Sequence, residues 1–136
     1  LTQGLVAQFD EVEVLPGLHA NGQYTLGENI ADQGGLRIAM TAFKDSQKKK
    51  GVDITSEEAK IDGYTPAQVF YMNFANLWAQ NTRPEEIRSL TTGDVHSLGE
   101  NRVNVSIRNI EPFFEAFGIT EGQPMFRPAS ERVIIW

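Results

Sequence analysis

Apolar positions repeat most clearly between about Leu26 and Lys49, where Ile30, Gly34, Ile38 and Ala42 step by four, close to the helical period. The pattern predicts a long helix with that row facing the core. Glu28 and Asp32 sit near its start and Lys44, Lys48, Lys49 and Lys50 near its end, the polarity that suits a helix dipole. Gly34-Gly35 inside it costs about 1 kcal/mol per glycine relative to alanine, so close approach of another element is expected there. Thr65-Pro66 is an N-cap and first-turn pair, and Phe70, Phe74, Leu77 and Trp78 then form an i, i+4, i+7, i+8 face through Gln80. Val69, Met72 and Ala75 lie beside that face. Arg83-Pro84 opens a further helix, with Ile87 and Leu90 on its apolar side and an end near Thr92-Gly93. Ile110 to Phe117 reads as a short aromatic helix stopped by Gly118. Before these elements, the Phe9-x-x-Val12-x-Val14 pattern suggests a short extended piece ahead of the Pro16-Gly17 turn. Asn21-Gly22 marks a second turn, residues 51–63 a polar surface loop, and Arg132 to Trp136 an apolar, packed tail. The expected class is mainly α: three or four helices around an aromatic core, with minor extended segments near the N-terminus.

Composition narrows the partners. The chain has 136 residues, which suits one domain, and 40% are hydrophobic, enough for a modest core. Twelve basic against eighteen acidic residues give a net charge of −6, which argues against nucleic acid and against attraction to anionic lipid. No apolar run approaches the ~20 residues of a membrane span. With no cysteine, disulfides and thiolate metal sites are excluded, and the compartment is left open. The lysine run is most simply a solvated helix end. Residues 51–63 lack the spaced acids and turn glycine of a calcium loop.

Two places carry candidate chemistry. Glu28 and Asp32, at i and i+4, share a helix face and can point at one object. Such a pair suits an ordinary acidic first turn, or a cation or imidazole that both carboxylates serve. Asp94-Val95-His96 places a carboxylate two residues before an imidazole on a loop. It reads either as a surface histidine or as a buttressed, protonated ring able to stabilise negative charge. His19, between two turns and without a nearby partner in sequence, reads as solvated. The Phe70–Trp78 face reads as core before any pocket role.

Longer strings sharpen this picture. Gly27-Glu28-Asn29-Ile30-Ala31-Asp32-Gln33-Gly34-Gly35, preceded by Asn21 to Leu26, resembles the third-ligand segment of the neprilysin family of zinc metallopeptidases, which includes endothelin-converting enzymes and bacterial oligopeptidases. Phe70 to Trp78, Arg83-Pro84-Glu85, Asp94-Val95-His96-Ser97 with Arg102-Val103-Asn104 six residues after the histidine, and Phe113 to Phe117 with Gly122, Met125 and Trp136 resemble further blocks of that family, in its order.

The resemblance implies the C-terminal helical subdomain of a thermolysin-like zinc metallopeptidase domain. Glu28 would be the glutamate ligand of one catalytic zinc, and Asp32 would hydrogen-bond a zinc-binding histidine. His96 would stabilise the oxyanion, with Asp94 orienting it. Arg102 would grip a substrate carbonyl or carboxylate, and Leu77 and Trp78 would line an apolar substrate pocket. The substrate would be an oligopeptide and the location extracytoplasmic. The absence of cysteines suits a bacterial member.

The family's HExxH helix is absent, and His19 and His96 lack helical ligand spacing. Residues 1–136 are therefore expected to be a C-terminal fragment whose natural partner is the upstream lobe of the same polypeptide, and Leu1 in place of an initiator Met agrees. Alone it should be inactive, bind zinc negligibly and tend to self-associate through uncovered apolar faces. Leu98 stands where the family carries proline after His-Ser, Asn101 where an aromatic precedes the arginine, and Val105 where glycine follows Arg-Val-Asn. The rival readings are a non-catalytic peptide- or partner-binding domain derived from such a peptidase, and a stand-alone helical interaction domain.

Overall fold

A computed structural model describes residues 1–135, and the expected packing of Trp136 lies outside them. Its elements are α1 (Thr2–Asp10), β1 (Glu13–Leu15), β2 (Leu18–His19), α2 (Leu26–Lys49), α3 (Pro66–Leu77), α4 (Pro84–Gly93), α5 (Gly99–Asn104) and α6 (Glu111–Phe117), with short 3-10 turns between. The mainly α expectation holds, and β1 and β2 form a small antiparallel hairpin around Pro16-Gly17. Gly118 ends α6 in the left-handed conformation (φ 62°, ψ 36°). Thr65 caps α3 in a reciprocal box with Gln68, whose backbone N–H donates to the threonine hydroxyl while its side chain accepts from the Thr65 N–H.

The main core joins Leu36 and Met40 of α2, Ala67 and Tyr71 of α3, Val103 of α5, and Phe113 and Phe114 of α6. Aromatic rings run through it: Phe43 stacks on Phe70 at 5.6 Å, and Tyr71 meets Phe113 edge-on at 5.4 Å. A second cluster packs Leu5 and Phe9 of α1 with Val105 and Val133. Val105 thus fills a buried position.

Several expectations are corrected. Phe9 is helical rather than extended, because Leu5, Val6, Gln8 and Phe9 form one buried face of α1. Only the following Glu13–Leu15 is extended. The limits of α2 are as expected, but its phase is not. Gly34 is buried and Ile30 packs on the second cluster as expected, but Asn29, Gln33, Leu36 and Met40 also face inward, whereas Ile38 is 64% exposed and Ala42 is exposed. Polar Asn29 and Gln33 occupy core positions because their amides find buried partners. Among the described residues nothing lies within 4 Å of where a Cβ at Gly35 would sit, so none of them crowds that glycine. Phe70, Phe74 and Trp78 pack partly buried against the core as expected, but Ala67 and Tyr71 are the most buried side of α3 and Leu77 is 70% exposed. In the tail Val133 is buried while Ile134 is exposed. His19 is exposed as expected, with Nδ1 3.0 Å from the Asp10 carbonyl.

A polar clasp closes the chain. The Gln8 amide donates to Asn109 Oδ1 and to the Glu131 carbonyl, both at 3.0 Å, and Asn109 donates back to Gln8 at 2.7 Å. The Val133 N–H donates to Asn109 Oδ1 at 2.9 Å, and Gln33 donates to the Val133 carbonyl.

Candidate active-site edge

The first turn of α2 and the loop between α4 and α5 meet at one edge of the fold. Glu28 lies in that first turn, where the helix dipole favours a carboxylate. Its Oε2 is 3.2 Å from His96 Nε2, and both side chains are half-exposed (42% and 44%). The other ring nitrogen, Nδ1, is 2.8 Å from Asp94 Oδ1. The same Asp94 oxygen accepts from the His96 backbone N–H at 2.8 Å, so the aspartate both folds the turn and orients the ring. Those two bonds, the backbone one first, hold the Asp94 carboxyl below its ordinary value. With a carboxylate at each nitrogen, the imidazole is aimed by its neighbours and left open on its solvent side.

One helical turn beyond Glu28, Asp32 takes the guanidinium of Arg102 in a two-point grip: Nε to Oδ2 at 2.6 Å and Nη2 to Oδ1 at 2.7 Å. Both side chains are largely buried, at 12% and 13% exposure. The face of the guanidinium lies 3.8 Å from the Trp78 ring centroid. Trp78 ends α3, and the start of α5 comes so close that a Cβ on Gly99 would stand 2.8 Å from the Trp78 carbonyl oxygen. Glycine is what lets α5 present Arg102 to Trp78. Leu98, where the resemblance leads one to expect proline, has φ −56°, within the range about −65 ± 15° that proline itself adopts.

The expected site residues therefore fall into two adjoining groups. Trp78, Asp94, His96 and Arg102 border a depression of about 250 Å³, with Glu28 beside His96. Leu77 and Asp32 border a second, largely apolar groove between α2 and α3, with Ala31, Gly35, Phe70 and Phe74. Asp32 binds Arg102 with both oxygens, a pairing that spacing did not reveal.

Beneath this edge lies a buried triangle that the sequence reading missed. The Asn29 amide donates to Thr25 Oγ1 at 2.9 Å, and the Ser97 hydroxyl is 2.8 Å from Asn29 Oδ1 and 3.1 Å from Thr25 Oγ1. Thr25 Oγ1 in turn donates to the Asn21 carbonyl at 2.9 Å. A signal was present in the order of residues, since Asn29 follows Glu28 and Ser97 follows His96.

The donor set limits what this chain can hold. Among the described residues no three His, Asp or Glu side chains gather as a metal site. Zinc takes about four ligands. Glu28, open to solvent at a helix start, offers one carboxylate of the kind zinc takes.

Comparison with known proteins identifies the family and the fold. Residues 1–133 match the model of peptidase family M13. The chain is 35% identical over 132 residues to neutral endopeptidase of Lactococcus lactis, covering 97% of this chain and 18% of that protein. It is 37% identical over 124 residues to endothelin-converting enzyme 1 of Mus musculus, covering 91% and 16%. Among solved structures, the zinc metalloprotease Zmp1 of Mycobacterium tuberculosis in complex with inhibitor superposes with a TM-score of 0.89 at 33% identity, covering 99% of this chain and 20% of that one. PepO from Lactobacillus rhamnosis superposes with a TM-score of 0.79 at 29% identity, covering 99% and 19%. A mainly helical chain with a carboxylate–imidazole edge is thus part of a metallopeptidase fold. It belongs to peptidase family M13, the neprilysin and endothelin-converting-enzyme family, and spans about a fifth of the length of the relatives it matches.

Proposed function

We propose that residues 1–136 are the C-terminal part of the catalytic domain of a zinc-dependent endopeptidase that hydrolyses oligopeptides, with the HExxH helix upstream. The observation that carries this reading is the 3.2 Å approach of Glu28 to His96, beside the paired Asp32 and Arg102. Glu28 is the carboxylate ligand of the zinc in this reading. When bound, zinc supplies Lewis-acid polarisation of a scissile carbonyl and acidification of water.

The chain's own residues supply positioning and charge. His96, held through Nδ1 by Asp94, donates from Nε2 toward the negative charge that develops on the carbonyl oxygen. Arg102 has Nε and Nη2 engaged by Asp32, which leaves the Nη1 side for a substrate carbonyl or carboxylate. Asp32 thereby fixes Arg102, in addition to buttressing an upstream zinc histidine. Trp78 backs the guanidinium, and Leu77 offers apolar surface to a substrate side chain.

No helix among the described residues is long and apolar enough to cross a membrane. The reading carries an extracytoplasmic location, and the similarity to the Lactococcus protein together with the absence of cysteine supports a bacterial member.

The test is cleavage of a short fluorogenic peptide by the full-length protein and by its Glu28→Ala variant, with zinc content measured for both. Loss of zinc and of activity in the variant supports the assignment. A variant as active as wild type overturns it, and a zinc-loaded but inert wild type makes the domain a non-catalytic peptide binder.

A further inference from the structure

Glu28 and His96 are side chains of a helix start and a loop, 68 residues apart in sequence, and both are half-exposed. An exposed contact between carboxylate and imidazole contributes little and is screened by salt, so it cannot by itself hold two backbone segments in register. The residues that join those segments lie one position further along each chain. Asn29 is 1% exposed, Thr25 5% and Ser97 9%. Three side chains from two segments close a ring of polar contacts between 2.8 and 3.1 Å.

Thr25 shows what the ring displaces. It occupies the N-cap position of α2, where a threonine hydroxyl ordinarily accepts from a first-turn N–H, yet it makes no such cap bond. Its oxygen instead accepts from Asn29 and donates to the Asn21 carbonyl. Ser97 has one proton to give, directed to Asn29 Oδ1 with Thr25 Oγ1 close by. The bond directions are complementary, so removing one member leaves buried partners unmatched.

We propose that Ser97, acting through Asn29 and Thr25, is a positioning residue that fixes the separation of Glu28 from His96. The proposal rests on the roles given to those two residues above. The α2 start and the 94–97 loop behave as one unit because the ring ties them directly below the reacting edge. A hydroxyl at residue 97 keeps Glu28 at the distance from His96 that transition-state charge requires, and a small displacement there affects turnover more than binding.

The experiment compares Ser97→Ala and Ser97→Thr in the full-length, zinc-loaded protein. It reads kcat, KM, the rate of zinc release to a chelator, and the melting temperature. Outer-shell partners of a metal site typically change affinity or activity by about 10–100-fold, so Ser97→Ala should lower kcat about 10-fold or more with KM within about 3-fold, and zinc should leave faster. Ser97→Thr, which keeps the hydroxyl, should recover most of kcat. Should Ser97→Ala melt below the assay temperature, the near-isosteric Thr25→Val takes its place, with Thr25→Ser as its hydroxyl-keeping rescue and the same expected readings. Wild-type kcat and zinc release in the hydroxyl-free variant overturn the proposal, as does a loss that the hydroxyl-keeping variant fails to recover. The Glu28→Ala variant separates the two levels. If it loses zinc while Ser97→Ala behaves as wild type, only the positioning role fails; if it keeps zinc and activity, the site reading fails.

Discussion

Asp32 and Arg102, 70 residues apart in sequence, form a two-point ion pair at 2.6 and 2.7 Å that is roughly seven-eighths shielded from solvent. Trp78 covers the open face of the same guanidinium. Lysine can reproduce the charge and neither the fork nor the stacking. Removing either partner strands a largely buried charge, so Asp32→Ala and Arg102→Ala should each destabilise the chain by about 2–4 kcal/mol. The double variant should lose less than the sum, with a coupling of about 1–3 kcal/mol. Denaturant unfolding of the four proteins measures this cycle, and additive losses would show the pair to be uncoupled.

Asp94 gives a pH dependence with a definite sign. Its carboxyl is held below its ordinary value chiefly by the His96 backbone N–H and then by the ring. A depressed folded value means that its contribution is complete above the unfolded value, about 3.9, and disappears as pH falls through the lower folded one. The 94–97 turn should therefore keep its shape in mild acid. The Asp94 carboxyl carbon resonance should keep its ionised position down to about pH 4 and move only below it, and Asp94→Ala should displace the His96 amide resonance from its wild-type position. A wild-type midpoint above pH 5 would contradict the assignment.

Tyr71 is 3% exposed, and its hydroxyl has no hydrogen-bond partner among the described residues. Burial, its largest influence, pushes the phenol well above its usual range. Tyr71→Phe should therefore leave stability unchanged or raise it by about 1 kcal/mol, since it removes an unpaired buried group. A raised folded value means that the wild-type contribution is full below about pH 10, the unfolded value, and is lost as pH rises from there toward the folded one. Circular dichroism against alkaline pH should show a steeper loss for wild type than for Tyr71→Phe. A phenylalanine variant destabilised by more than about 1 kcal/mol would mean that the hydroxyl has a role.

With one candidate ligand, the 136-residue chain should bind zinc more weakly than micromolar and cleave no peptide. Calorimetric titration that finds tighter binding would refute the single-ligand reading. The same chain leaves Leu77 70% exposed beside the apolar groove between α2 and α3, a surface that invites pairing. Light scattering should show dimer growing with concentration, and a clean monomer at high concentration would count against it.

How much of this was legible depended on whether the deciding contacts were local. The limits of α2, the Thr65 cap and the Gly118 stop are set within a few residues, and each is as read from the sequence. The phase of α2 was misread because Asn29 and Gln33 are inside, and only tertiary partners 68 and 100 residues away make that favourable. Helix α5 gave little signal, as Gly99-Glu100-Asn101-Arg102-Val103-Asn104 holds a glycine and two asparagines, all weak helix formers. For the site, spacing put Glu28 beside Asp32 and Asp94 beside His96. Bringing the two pairs together required the family resemblance, because a contact between distant segments leaves no period in a sequence. The Asp32–Arg102 fork left none either.

The clasp formed by Gln8, Asn109 and the backbone around Val133 has a consequence for synthesis. Gln8 cannot find both partners until 123 further residues have been made. During translation α1 can form as an isolated turn of helix, but its buried glutamine stays hydrated and its docking waits. Such long-range closure makes this region one of the last parts of the segment to be completed. A nascent chain stalled before residue 131 should remain open to protease at α1, and release of the segment through residue 133 should shut it.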